Sequence, residues 1–197
     1  MIKYFVLITL FISTVSFIDG GDGGSSHCII NDMDITHNLF YNSVDGVLDV
    51  LNKKGKIEKY EVTTNISIYD IKTGKTSYLF SDSLKERIEE FYFESHYDAL
   101  NKRMAFNHND PADYQYLDVI GNFNLESRPP SDKLFIITNS PETGMRCLWM
   151  ADKTGAGLMR VHEFNQSTTD YYFDVKNMVV RFVKQVGKKI ETLDIKY

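Results

Sequence analysis

Residues 64–80 read TNISIYDIKTGKTSYLF, and this stretch decides the class of fold. Apolar side chains alternate along it, at Ile66 and Ile68 before the turn and at Tyr78 and Phe80 after it. The turn, KTGK, contains a glycine. Alternation with a period of two on both sides of a glycine-containing turn predicts two antiparallel strands joined as a β-hairpin.

The same pattern recurs elsewhere in the chain. Residues 179–183 and 190–197 alternate in the same way and flank a second turn, GKK. Residues 134–137, LFII, are apolar without interruption, which is typical of a strand covered on both faces. Together these segments predict a chain built almost entirely of β-strands.

One short helix is predicted, over residues 83–91. Leu84, Ile88 and Phe91 recur at helical spacing, and the segment begins with a serine. Glu86 stands three residues after that serine, which is the arrangement of a capping box.

Residues 97–106 and 173–182 form an internal repeat. In each copy an aromatic residue and an aspartate are followed, at identical spacing, by an asparagine and a new alternating strand. A second echo pairs residues 68–74 with residues 148–155. Both offsets are close to twice a unit of about 40 residues, a length typical of repeat architectures.

Two of these segments, YDIKTGK at residues 69–75 and WMADKTG at residues 149–155, resemble the blades of TolB-type and related β-propeller proteins. The resemblance extends loosely over residues 47–197 and implies antiparallel, propeller-blade-like repeats. The chain has room for about four such units, whereas closed propellers usually have more. We therefore expect an all-β, antiparallel fold of propeller-blade-like or sandwich-like repeats, with a closed ring, an open stack and a sandwich as alternatives.

The N-terminus has the features of an export signal. Lys3 is followed by residues 4–17 without a charge, a length that suits a signal peptide but not a membrane-spanning helix. Small residues at Thr14 and Ser16 predict cleavage after Ser16, or as late as residue 20. A buried N-terminal strand is the alternative.

This assignment divides the chain into three parts. Residues 1–16 are predicted to be a signal peptide, residues 17–27 a flexible Gly/Ser-rich lead, and residues 28–197 a single β-rich domain. The mature protein is therefore expected in the periplasm or outside the cell, with no stable membrane insertion after the signal is removed.

Composition excludes several classes of protein. The chain has 197 residues, is 43% hydrophobic and carries a net charge of -5. An acidic chain without a basic block is not expected to bind nucleic acid. No zinc-protease helix motif, nucleophile elbow or phosphate-binding loop occurs, so neither a cofactor nor a catalytic residue is predicted.

Cys28 and Cys147 are the chain's two cysteines, and an exported chain with an even number of cysteines usually pairs them. We therefore predict a Cys28–Cys147 disulfide. Two buried free thiols are the alternative.

Four residues are possible binding positions, and each also has an ordinary structural explanation. His108, Asp110 and Asp113 lie in a polar segment that offers ligands to a hard cation, although Asn, Asp and Pro are also the residues that turns require. Trp149, the single tryptophan, is either a binding platform or part of the core.

Asp98 and Asp174 occupy equivalent places in the repeat and invite a catalytic interpretation together with Asp110. A carboxylate beside a turn more often caps backbone amides, and we expect that role. The triplets Asn65-Ile66-Ser67 and Asn165-Gln166-Ser167 are glycosylation acceptors only in a eukaryotic host.

The sequence thus favours an exported, non-catalytic module that binds a protein partner in the envelope or extracellular space; an inhibitor or immunity-type protein fits its size and charge. A carboxylate-dependent hydrolase or sugar-active enzyme on a propeller-like scaffold is the first alternative. A structural envelope component is the second.

Overall fold

The computed structural model describes residues 28–51, 54–107 and 121–197. The predicted signal peptide, the whole of the predicted lead, and His108, Asp110 and Asp113 lie outside the described residues. The strands are β1 (Asn31–Asp34), β2 (Leu39–Leu51), β3 (Ile57–Asp70), β4 (Lys75–Tyr78), β5 (Arg87–Asp98), β6 (Arg103–Phe106), β7 (Lys133–Asn139), β8 (Arg146–Asp152), β9 (Met159–Phe164), β10 (Thr169–Asp174), β11 (Val179–Val186) and β12 (Lys189–Lys196).

All strand pairs are antiparallel, and they form three sheets. The first sheet has the order β1-β2-β3-β4, the second β6-β5-β7-β8-β9 and the third β10-β11-β12. The described residues contain no helix. The expected all-β, antiparallel class is therefore confirmed.

The five-stranded sheet has a hydrophobic core on each face. We call the front core the cluster shared with the first sheet, which includes Leu39, Tyr41, Ile66 and Ile68. The rear core is the cluster shared with the third sheet, which includes Phe173, Val175, Val180 and Phe182. Stacked sheets around two cores are consistent with a sandwich, and the propeller-blade arrangement is not confirmed.

Strand β7 is buried on both of its faces. Leu134 and Ile136 belong to the front core, whereas Phe135 and Ile137 belong to the rear core. All four side chains are fully buried. This alternation explains why the LFII run is apolar at every position, as the sequence predicted for a strand covered on both faces.

The predicted helix over residues 83–91 is wrong, because strand β5 begins at Arg87. A β-bulge between Ile88 and Glu90 shifts the pairing with β7 by one residue. Ile88 and Phe91, three residues apart, therefore both face the front core and imitate helical spacing. Glu86, the expected capping residue, accepts a hydrogen bond from Thr138 on β7 instead.

The repeat of residues 97–106 and 173–182 corresponds to two hairpins of identical register. Tyr97 pairs with Met104 in the β5–β6 hairpin, exactly as Phe173 pairs with Val180 in the β10–β11 hairpin. In both hairpins the aspartate that follows the aromatic residue is the last residue of its strand.

Two further hairpins, β1–β2 and β3–β4, have the same four-residue loop. In all four, the fourth loop residue has a positive φ: Asn38, Gly74, Lys102 and Met178. The closing aspartates are Asp34, Asp70, Asp98 and Asp174. These hairpins are unevenly spaced along the chain, so the local unit repeats without a constant period.

The second echo, between residues 68–74 and 148–155, does not extend to the turn. Asp70 accepts backbone hydrogen bonds from Lys72 and Thr73 within its own turn. Asp152 instead pairs with the ammonium group of Lys133 at 2.5 Å, and the loop that follows it is longer.

The predicted disulfide is not formed, because Cys28 and Cys147 are separate thiols in the structure. The Cys147 sulfur accepts a hydrogen bond from Arg160 Nε at 2.9 Å. Burial, with a smaller contribution from neighbouring carboxylates, raises the pKa of Cys28 to about 11. Both side chains pack as small, protonated groups at neutral pH, the alternative that the sequence left open.

Candidate functional site

A network of buried charges connects the three sheets. It consists of Asp34, Glu94, Arg128 and Lys153, and we call it the ionic network. Asp34 closes β1, Glu94 lies on β5, Arg128 precedes β7, and Lys153 directly follows β8. Buried charges require close partners, so each contact in this network bears on stability or chemistry.

Lys153 and Asp34 form a fully buried ion pair. Both side chains have 0% exposure, and Lys153 Nζ lies 2.8 Å from Asp34 Oδ2. The same ammonium donates to the backbone carbonyl of Glu94 at 2.7 Å. His37 Nδ1 contacts the same carboxylate oxygen of Asp34 at 2.7 Å. The pair therefore ties the first sheet to the central sheet through the front core.

Glu94 is the second carboxylate of the ionic network, and it accepts hydrogen bonds from four donors. Arg128 donates to both of its oxygens, each at 2.6 Å. The backbone N–H of Ser131 and the hydroxyl of Tyr197 also donate to it, at 2.8 and 3.0 Å. Arg128 in turn donates to the carbonyl of Val175 in the loop of the third sheet. This half of the network therefore ties the central sheet to the third sheet.

The ionic network has a structural role. Burial alone would lower the pKa of the Arg128 guanidinium, but hydrogen bonds and charge from Glu94 outweigh burial and raise it. Asp34 and Glu94 are fully buried and each already pairs with a cation. A general acid or base must reach substrate, so these two carboxylates do not form a catalytic pair.

The two repeat aspartates cap their own turns, as the sequence predicted. Asp98 Oδ1 accepts the backbone N–H groups of Leu100 and Asn101, and its Oδ2 accepts the Asn101 amide. Asp174 makes the equivalent bonds with Asn177. The hydrogen bonds within the turns therefore account for both aspartates without a catalytic role.

Trp149 lies at the edge of the front core, half-buried. Its ring meets Phe80 edge-on at 5.3 Å between centroids, and its Nε1 donates to Thr138 Oγ1 at 3.0 Å. Arg160 lies over the same ring at 5.9 Å. The indole is therefore held on several sides, which fits the core role better than an open binding platform.

A groove of about 300 Å³ lies between β9 and the β11–β12 hairpin. Phe164 and Phe182 form its floor, and His162 packs edge-on against Phe182 at 4.5 Å. Burial lowers the pKa of His162, opposed by the neighbouring Glu163, so the imidazole is neutral at pH 7. No sequence pattern predicted this groove, because its walls come from β9 and from all three strands of the third sheet, which meet β9 only in the fold.

A second surface feature is a two-stranded ribbon formed by residues 45–51 of β2 and residues 57–63 of β3. Within the described residues, neither part pairs with a further strand, because β1 pairs only with residues 39–42 and β4 only with residues 67–70. Two-stranded ribbons are marginally stable in water on their own.

The two faces of the ribbon differ. Leu48 and Val62 share one face, and both are buried. Val47, Leu51 and Ile57 share the opposite face, which we call the outward face, and they are 56%, 68% and 67% exposed. Leu51 and Ile57 are direct cross-strand partners. Exposed aliphatic side chains in register on one face are typical of a contact surface.

Four tyrosines, of which Tyr41 is fully buried and the others are partly buried, predict a marked sensitivity to alkali. Burial, reinforced by neighbouring carboxylates, raises the pKa values of Tyr41, Tyr92, Tyr171 and Tyr197 well above 10. Above pH 10 the unfolded chain loses these phenolic protons while the folded chain retains them. The free energy of unfolding should therefore fall as pH rises, by up to about 1.4 kcal/mol per pH unit for each tyrosine.

Urea unfolding between pH 8 and pH 11, combined with phenolate absorbance, tests this expectation. Tyr197→Phe should make the fall in stability less steep. Phenolate formation by all four tyrosines at an ordinary pKa in the folded protein would contradict it.

The described part of the chain contains no group of three or more His, Cys, Asp or Glu side chains placed to hold a metal ion. Among the same residues, no helix is long and apolar enough to cross a membrane. Comparison with protein-family models, with curated proteins and with solved structures finds no match to this chain.

Proposed function

We propose that this protein is an exported, non-catalytic module that binds another protein in the envelope or extracellular space through the outward face of the ribbon. The observation that carries the proposal is the exposure of Val47, Leu51 and Ile57 on one face of a ribbon that no further described strand supports. A protein partner would cover these side chains and remove their apolar surface from water.

The ribbon also offers polar contacts around its aliphatic residues. Asp49 and Lys59 are direct cross-strand partners on the outward face, and Glu61 lies opposite Val47. The Asp49–Lys59 pair lies between Val47 and the Leu51–Ile57 pair, so the face offers a partner both aliphatic and charged contacts, as protein–protein interfaces do. The same mixture of charges on an acidic chain gives no reason to expect nucleic acid as the partner.

The predicted export signal favours the same proposal. Lys3 and the uncharged residues 4–17 predict a signal peptide, which would place the mature domain where secreted or surface proteins are its neighbours. An inhibitor or immunity-type protein is one form of this function.

The test is affinity capture with ribbon variants. We expect Leu51→Ser together with Ile57→Ser to weaken partner binding at least tenfold, a loss of about 1.4 kcal/mol or more of binding free energy. Capture from the native envelope or medium identifies the bound protein, and titration of that purified protein measures the affinity.

Leu100→Ser is the matched control. Leu100 is 90% exposed and lies in the β5–β6 turn. Its replacement by serine removes a comparable apolar side chain outside the ribbon. The control should keep full binding, and all variants should unfold at the same urea concentration. Equal binding by the ribbon variant and the unchanged protein, or turnover of a glycan or ester substrate, would overturn the proposal.

A further inference from the structure

The two Asn-x-Ser triplets of the chain occupy opposite environments. Asn65 lies within β3 and is buried, whereas Asn165 lies in the exposed turn between β9 and β10. An N-linked glycan is bulky and hydrated, so only a surface asparagine can carry one in a folded domain. The sequence motif alone does not distinguish the two sites.

Both the oxygen and the nitrogen of the Asn65 side-chain amide are bound by the fold. Its Oδ1 accepts the backbone N–H groups of Ile66 and Phe80 at 2.8 and 3.0 Å. Its Nδ2 donates to the carbonyl of Phe80 at 2.8 Å. Asn65 is 6% exposed, so attachment of a sugar at Nδ2 would force a bulky, hydrated glycan into the interior.

The side-chain amide of Asn165 is arranged differently. Its Oδ1 accepts the backbone N–H of Ser167 at 2.9 Å and the Ser167 hydroxyl at 2.7 Å. The two side chains that the acceptor motif requires are therefore already in contact. Within the described residues, Asn165 Nδ2 makes no hydrogen bond, so it is available for modification.

We propose that Asn165 is N-glycosylated when the chain passes through a secretory pathway that attaches N-linked glycans, and that Asn65 is not. In the transfer, Asn165 Nδ2 forms a bond to the anomeric carbon of a lipid-linked oligosaccharide. The bond from that carbon to the lipid pyrophosphate breaks, the pyrophosphate leaves with the bonding electrons, and Nδ2 loses one proton. Asn165 also lines the groove beside β9, so the glycan lies at the mouth of that groove.

This proposal rests on the proposed export. Two forms of the full chain distinguish a failure of export from a failure of glycosylation at Asn165. One carries its own N-terminus, and the other carries a proven secretion signal in place of residues 1–16. Both are expressed in eukaryotic secretory cells, and the secreted protein is analysed by glycopeptide mass spectrometry before and after peptide-N-glycosidase treatment. We expect one glycan per chain, on Asn165.

Matched hydroxyl deletions test the choice between the two sites. Ser167→Ala should abolish the glycan on Asn165. Ser67→Ala should retain it, because Ser67 belongs to the Asn65 triplet. The fold should tolerate this change, since Ser67 makes only a long hydrogen bond to the Asn42 carbonyl, at 3.4 Å. Asn165→Gln is a second variant that should lose the glycan. Secreted protein with no glycan, or with its glycan on Asn65, would overturn the proposal. Glycosylation of the second form alone would refute the native signal and leave the Asn165 site supported.

Discussion

Replacing Glu94 with alanine is expected to lower the free energy of unfolding by about 3–5 kcal/mol, because it leaves a partly buried guanidinium without its carboxylate. Arg128 would lose both 2.6 Å hydrogen bonds, and Ser131 N–H and the Tyr197 hydroxyl would lose their acceptor. Urea unfolding monitored by tryptophan fluorescence measures the change.

A graded series identifies the cause of this loss. Tyr197→Phe removes a single hydrogen bond to Glu94 and should cost about 1 kcal/mol. The double variant Glu94→Leu with Arg128→Leu removes both charges and should be more stable than Glu94→Ala. If the double variant is as unstable as the sum of its single changes, the Glu94–Arg128 charge pair is not the source of the effect.

Lys153→Met is expected to cause a loss of similar size, about 3–5 kcal/mol, at the other half of the ionic network. Methionine fills much of the same volume but leaves the fully buried Asp34 carboxylate, among the residues that the structure describes, with His37 as its remaining ionisable partner within 4 Å. The backbone carbonyl of Glu94 would also lose its donor. Guanidinium or urea titration at pH 7 gives the free energy directly.

The matched control is the double variant Lys153→Met with Asp34→Asn, which also removes the charge of Asp34. Asp34→Asn keeps the oxygen that accepts the N–H groups of Thr36 and His37 in the β1–β2 turn. Combined with Lys153→Met it removes the uncompensated buried charge, so the double variant should recover part of the lost stability. If Lys153→Met alone costs less than about 1 kcal/mol, the pair does not tie the first sheet to the central sheet.

The two halves of the ionic network explain how open sheets are kept in one arrangement. Hydrophobic burial in the front and rear cores is not directional, so it holds the sheets together without fixing how they align. Asp34 with Lys153 fixes the first sheet, and Glu94 with Arg128 and Tyr197 fixes the third. We infer that loss of either pair weakens sheet docking more than it weakens any single strand.

Several local elements followed from sequence patterns alone. Alternation around residues 72–75 and 187–189 predicted the β3–β4 and β11–β12 hairpins, and the apolar run of residues 134–137 predicted a strand buried on both faces. The turn-capping roles of Asp98 and Asp174 were also predictable, because those bonds join groups two or three residues apart.

The errors lie where local patterns are ambiguous. The bulge at Ile88 made a strand look like a helix, because one extra residue changes the spacing of core-facing side chains from two to three. The disulfide was inferred from the predicted export and the even number of cysteines. Neither determines whether the two sulfur atoms lie within bonding distance in the fold. The propeller-blade interpretation is not confirmed; it depended on a constant period, and the four hairpins are unevenly spaced.

The sequence by itself determined the β class, the β3–β4 and β11–β12 hairpins and the turn-capping by Asp98 and Asp174, because period-two burial and turn chemistry depend on residues close together in the chain. Tertiary structure alone decided the pairing of Asp34 with Lys153 and of Glu94 with Arg128, the groove beside His162, and which faces of the ribbon are covered. Those features join residues far apart in sequence, and the order in which sheets stack fixes which of them meet. No local pattern encodes that order, because the contacts that select it, in both cores and in the ionic network, are made only once the sheets have docked.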